Sequence, residues 1–184
     1  MSGTLILVVG PSGVGKDTIL DGARAELARD DRFFFVQRDI TRPASAGGED
    51  HHTVSRSEFE ANLQRETYAL HWRAHDLLYG IPKSQLSVME RGGAAIANGS
   101  RSVLDEARSR FERLGIVSIT ANDELLRQRL SARGRESAED ISARIARANA
   151  FQVSGPDVFE LPNDGTVEAG VQALINVLHQ IYEG

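Results

Sequence analysis

"GPSGVGKDT", Gly10 to Thr18, follows directly on the apolar run "TLILVV" at 4–9. Gly10, Pro11, Ser12, Gly13, Val14, Gly15 and Lys16 supply the spacing G-x-x-x-x-G-K between a predicted strand and a predicted helix. In that context the spacing forms a phosphate-binding loop. Glycines let the backbone curl until successive N–H groups point inward at a phosphate. The helix N-terminus adds positive potential, and Lys16 adds a point charge for the β- and γ-oxygens of a nucleotide. The ending is unusual. Asp17 stands where a neutral hydroxyl usually follows the Lys, and Thr18 comes one place later. A carboxylate at that place can hold a hard cation such as Mg²⁺, directly or through water. It can also simply cap the helix start, where Asp is favourable.

Outward from this loop, apolar runs alternate between two periods. Strands are predicted at 4–9, 32–37, 92–99, 116–120 and 158–161. Helices are predicted after Lys16, after Ser57, over 102–114, on Leu125, Leu126 and Leu130, over about 139–151, and on the terminal face of Val167, Val171, Leu174, Leu178 and Ile181. A turn is predicted at Tyr79-Gly80 within 67–82. Strands alternating with helices at this spacing predict an α/β domain with a parallel sheet covered on both faces. Ligands then bind beyond the carboxyl ends of the strands, in the loops that follow them.

At 184 residues the chain is expected to form one domain with its own core. It has no cysteine, which excludes disulfides, thiolate nucleophiles and Cys-ligated metals. The formal net charge of -5 argues against a general nucleic-acid binder. The opening apolar run is too short for a membrane span, so a soluble cytoplasmic protein without a membrane partner is expected. Nineteen Arg stand against two Lys, Lys16 and Lys83. An Arg fork matches phosphate oxygens bidentately. Arg127, Arg129, Arg133, Arg135, Arg144 and Arg147 fall within 127–149. Arg133 and Arg144 either close over a transferring phosphoryl group or belong to a salt-bridged helical hairpin with Glu136, Glu139 and Asp140.

"DITRP" (39–43), "HHTVSRSEF" (51–59), "YGIP" (79–82), "RLSARGRES" (129–137) and "ND" (163–164) follow the loop in one order. With that order the chain resembles the guanylate kinase-like P-loop kinase family along nearly its whole length. The resemblance implies a three-layer nucleoside-monophosphate-kinase-like fold on a five-stranded parallel sheet. It also implies an acceptor-binding lobe inserted at 38–90 and a lid at 129–147. Arg42 matches an Arg that binds the acceptor phosphate in guanylate kinases, and Arg38 lies just upstream. His51 stands at a phosphate-holding Tyr, His71 at the Glu that reads guanine, and Tyr79 in a retained Tyr-Gly pair. The stretch "DIDxQG" of guanylate kinases reads "AIANGSR" here, losing an acid and adding Arg101. These departures resemble the ribose 1,5-bisphosphate kinases of the same family, which use ATP in a step of phosphonate breakdown.

The resemblance therefore implies ATP and Mg²⁺ as cofactors, with Asp17 at the metal. It implies a small phosphorylated sugar as partner. Arg38, Arg42, His51, His71, Tyr79 and Arg101 would bind that sugar. Lys16, Arg133 and Arg144 would carry the transfer, while Arg129 and Asn163 would border the nucleotide. A homodimer is left open. The alternatives are a nucleoside monophosphate kinase such as guanylate kinase, and a non-catalytic guanylate kinase-like binding module.

Overall fold

The computed structural model describes residues 3–43, 49–132, 137–150 and 152–184. The first strand, β1 (Thr4–Val9), is buried along its whole length and leads through the glycine loop into α1 (Lys16–Glu26). Next come β2 (Phe33–Phe35), β3 (Asp39–Ile40), β4 (His52–Thr53) and α2 (Arg56–Gln64). A hairpin of β5 (Tyr68–Ala74) and β6 (Leu77–Pro82) follows, and a 3₁₀ segment runs from Lys83 to Arg91. The second half holds β7 (Ala94–Asn98), α3 (Leu104–Arg110), β8 (Leu114–Thr120), α4 (Asp123–Ala132), α5 (Ala138–Ala150), β9 (Val158–Pro162) and α6 (Val167–Glu183).

Five strands form one parallel sheet in the order β2-β7-β1-β8-β9. Because side chains alternate along β1, Ile6 and Val8 face one layer while Leu5, Leu7 and Val9 face the other. The first layer brings in Ile19 and Ala23 of α1, Leu126 and Leu130 of α4, Ile141 and Ile145 of α5, and Leu174 and Leu178 of α6. The second holds Leu104 and Ala107 of α3, together with Leu70, Trp72 and Ile81 of the hairpin. A smaller sheet, β4-β3-β6-β5, stands beyond the carboxyl end of β2 and covers its own cluster of Val54, Phe59 and Tyr68.

Three local expectations are corrected. The second helix starts at Ser55, not Ser57. The Ser55 hydroxyl accepts from the Glu58 N–H, and the Glu58 carboxylate accepts from the Ser55 N–H, a reciprocal capping box. The hairpin turns at His75-Asp76, whose φ values are 50° and 60°, rather than at Tyr79-Gly80. Gly80 lies inside β6 opposite His71, and a Cβ there would press into the Tyr68 ring. A close approach, not a turn, therefore demands the glycine. Val167, expected on the buried face of the last helix, is half exposed at its first turn, and Ile175 takes its place in the core.

Candidate active site

Gly13 and Gly15 have φ of 90° and 92°, the left-handed region the curled loop requires. Gly15 caps α1, so the free N–H groups of the first helical turn open toward the loop's mouth. The loop is fastened from behind. The carbonyl of the fully buried Val14 accepts from Asn163 Nδ2 at 2.7 Å and from Arg129 Nη1 at 3.0 Å. With that carbonyl held on the far side, the Gly15 N–H of the same planar peptide points the opposite way. Asn163 is itself buried and leaves no room for a side chain at Gly15, where a Cβ would lie 2.7 Å from Nδ2. Arg129 and Asn163 were expected beside the nucleotide. The structure hydrogen-bonds both to the Val14 carbonyl.

The loop opens into a cleft of 590 Å³. Gly10, Pro11, Ser12, Gly13, Gly15, Lys16, Asp17 and Thr18 form one wall. Arg38, Arg42, Glu49, Trp72 and Tyr79 form the facing wall, and Asn98 to Arg101 close the end beyond β7. Burial pulls the Lys16 ammonium below the usual lysine range, and Asp17, with Oδ1 3.3 Å away, pulls the other way. Asp17 Oδ1 also accepts from Asn98 Nδ2 at 2.9 Å. Its side chain is 50% exposed to the cleft.

Arg38 is buried. It pairs with Glu49, and its guanidinium lies 5.2 and 5.1 Å from the ring centres of Trp72 and Tyr79. Those rings stack on each other with an interplanar angle of 3°. Burial raises the Tyr79 phenol above its ordinary value, against the pull of Arg38 and Arg42. Arg42 is half-buried. The Nε atoms of Arg38 and Arg42 are both buried without a hydrogen-bond partner. A buried guanidinium N–H without an acceptor marks a place for an anionic oxygen. Burial likewise draws Arg101 below the usual guanidinium range.

The expected acceptor set is thus only partly assembled. Arg38, Arg42, Tyr79 and Arg101 share the cleft with Lys16. His51 is turned into the wall. Its ring nitrogens meet the Glu49 carbonyl at 3.0 Å and the Arg42 carbonyl at 3.1 Å, so it braces the chain that carries Arg42. His71 is a correction. It alternates with Trp72 along β5, so with Trp72 facing the cleft it faces the opposite side, in a 300 Å³ hollow with Tyr68, Lys83 and Arg110. Arg144 is half-buried on α5, outside the lining of this cleft. Arg133 lies outside the described residues. Glu49 was not expected at the site. Only folding brings it back against Arg38 and Asn98.

Comparison with known proteins now decides the family. The chain is 45% identical over 179 residues to the ribose 1,5-bisphosphate phosphokinase PhnN of Brucella melitensis, covering 97% of this chain and 93% of that one. To the protein of the same name from Rhizobium etli it is 43% identical over 176 residues, covering 96% and 89%. This chain belongs to the ribose 1,5-bisphosphate phosphokinase family. A family model described as an AAA domain matches residues 6–149, from β1 through nearly all of α5. A guanylate kinase from Anaplasma phagocytophilum superposes with a TM-score of 0.68 at 17% identity, covering all of this chain and 87% of that one. At that identity the likeness speaks for the fold alone. This chain is thus built on a guanylate kinase-like P-loop fold. Among its described residues, no helix is long and apolar enough to cross a membrane.

Proposed function

We propose that this protein transfers the γ-phosphoryl group of ATP to ribose 1,5-bisphosphate, giving 5-phosphoribosyl 1-diphosphate and ADP. The observation that carries the reading is the pair Arg38 and Arg42. Each presents a buried, unpartnered Nε, and both share one cleft with Lys16 and the phosphate loop. An acceptor with two phosphates and no base suits that lining. The family relatives carry the same activity in their name, which ties the reading to phosphonate metabolism.

An oxygen of the acceptor's 1-phosphate attacks the γ-phosphorus as the bond from that phosphorus to the β-bridging oxygen breaks. The new P–O–P link is the diphosphate, and the electron pair leaves on ADP. The attacking oxygen is already ionised, so no base has to take a proton. Catalysis is alignment and charge neutralisation. The loop amides hold the β-phosphate, Lys16 follows the moving charge, and Arg38, Arg42 and Arg101 hold the acceptor. Tyr79 shapes the acceptor wall, and His51 supports Arg42.

Mg²⁺ fits this site through Asp17, whose half-exposed carboxylate stands at the loop's mouth. Among the described residues no group of three or more His, Cys, Asp or Glu could hold a metal unaided. Mg²⁺ is commonly held by one or two carboxylates together with substrate phosphates, and Asp17 offers one such carboxylate. When bound, the ion would neutralise charge on the nucleotide's phosphates, with Asp17 holding it. In this reading residues 38–90 form the acceptor lobe and 129–147 the lid, with Arg133 and Arg144 as the lid's cations. A need for ATP supports a cytoplasmic location.

The test is a coupled ADP-release assay with ribose 1,5-bisphosphate, GMP and AMP offered separately. Turnover is expected with the sugar bisphosphate. A clear preference for GMP would overturn the proposal.

A further inference from the structure

Asp17, Asp21 and Glu49 are the acidic groups lining the cleft among the described residues. Glu49 is the deepest of them. Its side chain is 13% exposed, against 50% for Asp17 and 56% for Asp21. One oxygen, Oε1, accepts from Arg38 Nη2, and Oε2 accepts from Asn98 Nδ2. The same Asn98 amide nitrogen also donates to Asp17. Each oxygen of an ionised carboxylate has about two acceptor positions. Glu49 therefore keeps one free on each side after these bonds.

A deep carboxylate is out of place in a cleft meant only for phosphates, because it repels them. Arg38 and Asn98 already match one acceptor position on each oxygen, and the positions left over suit a neutral O–H donor. A ribose bisphosphate with ionised phosphates has two O–H donors, the hydroxyls on C2 and C3. We propose that Glu49 reads those hydroxyls and so selects a ribose over a deoxyribose acceptor. This inference rests on the sugar bisphosphate reading above.

The charge pattern agrees. Arg38 is neutralised by Glu49 and held against the Trp72 and Tyr79 rings, so it fixes the carboxylate's position. The Nε of Arg38 stays without a partner, and Arg42, Arg101 and Lys16 line the same cleft for the phosphates. Asn98 fits the same scheme. Its neutral amide bridges two carboxylates that a third acid at that place would drive apart.

The test measures kcat/KM for ribose 1,5-bisphosphate and for its 2-deoxy and 3-deoxy analogues, in the wild type, in Glu49→Gln and in Glu49→Asp. Losing one charge-assisted hydrogen bond lowers kcat/KM about 10- to 100-fold. The wild type is expected to lose that factor on at least one deoxy analogue. Glu49→Gln should lose it on the ribose substrate and not again on the analogue, so the ratio falls toward one. If Glu49 only braced Arg38, the variant would drop on every acceptor by one common factor with the ratio unchanged, and the inference would be overturned. A wild type that uses all three acceptors equally well overturns it too, and needs no variant to fold. Glu49→Asp, which keeps the charge, should retain part of the discrimination. ADP affinity by calorimetry should match across the three proteins. A wild type inactive on ribose 1,5-bisphosphate itself removes the functional reading and this inference together. Turnover with an unchanged ratio removes the inference alone.

Discussion

Replacing Asn163 by Ala removes the shorter of the two hydrogen bonds on the Val14 carbonyl, 2.7 Å, and leaves the 3.0 Å bond from Arg129. Val14 is fully buried, so water cannot take the lost donor's place. A buried group losing a partner costs about 1–3 kcal/mol. The lower half of that range applies here, because Arg129 still satisfies the carbonyl. At roughly 2–4 °C per kcal/mol for a chain of this size, the melting temperature should fall by about 2–8 °C. Arg129→Ala alone should cost a similar amount. In the double variant the carbonyl has no partner left, so the combined loss should exceed the sum by about 0.5–1 kcal/mol. The kinetic signature is equally specific. Loosening the loop should raise KM for ATP and leave KM for the acceptor nearly unchanged. The assays are chemical denaturation of the four proteins of the cycle and initial rates with each substrate varied. Strict additivity, or a rise in acceptor KM equal to that for ATP, would refute the argument that these two side chains act through Val14.

Lys16→Met should fold normally and lower kcat by about 10²- to 10³-fold, the usual cost of removing one donor from a developing anion; steady-state rates beside a melting curve check it. Asn98→Asp places an acid between Asp17 and Glu49 and removes both amide hydrogen bonds, so kcat/KM should fall about 10-fold or more, with part of the loss recovered at lower pH in a rate profile. Gly22→Ala gains helix propensity but drives a methyl into Val171 where α1 packs on α6; overpacking of about 1–3 kcal/mol should win, seen as a lower denaturation midpoint. Hydrogen bonds from Arg108 hold the Asp157 carboxyl below its ordinary range. That stability is present above the unfolded carboxyl's pKa and is lost as pH falls through the lower folded value. Arg108→Ala should therefore cost about 1 kcal/mol or less near neutrality and flatten the acid limb of a stability–pH curve.

The phosphate loop was legible because its function lies in the backbone, and the glycines that permit the backbone are written in the chain. The alternating elements gave the parallel sheet for the same local reason. What sequence left dark depends on which way a strand faces and on which loop folds back. His71 follows a family position, but one step along β5 separates it from the face that Trp72 presents to the cleft. Gly80 reads as a turn residue until the Tyr68 ring is seen against it. Glu49 lies in a stretch of turn formers with no period, and its partners Arg38 and Asn98 are 11 and 49 residues away. Arg129 and Asn163 were expected to border the nucleotide, and the structure shows both on the Val14 carbonyl. Their targets could not be read, because a carbonyl acceptor has no sequence signature.

The two donors on the Val14 carbonyl come from residues 115 and 149 places further along the chain. The glycine loop is synthesised well before the residues that fasten it, Arg129 of α4 and Asn163 just after β9. A nascent chain stalled before Asn163 would hold the complete loop sequence with its back unsecured. The birth order of the polypeptide is thus the reverse of the order in which this pocket becomes whole.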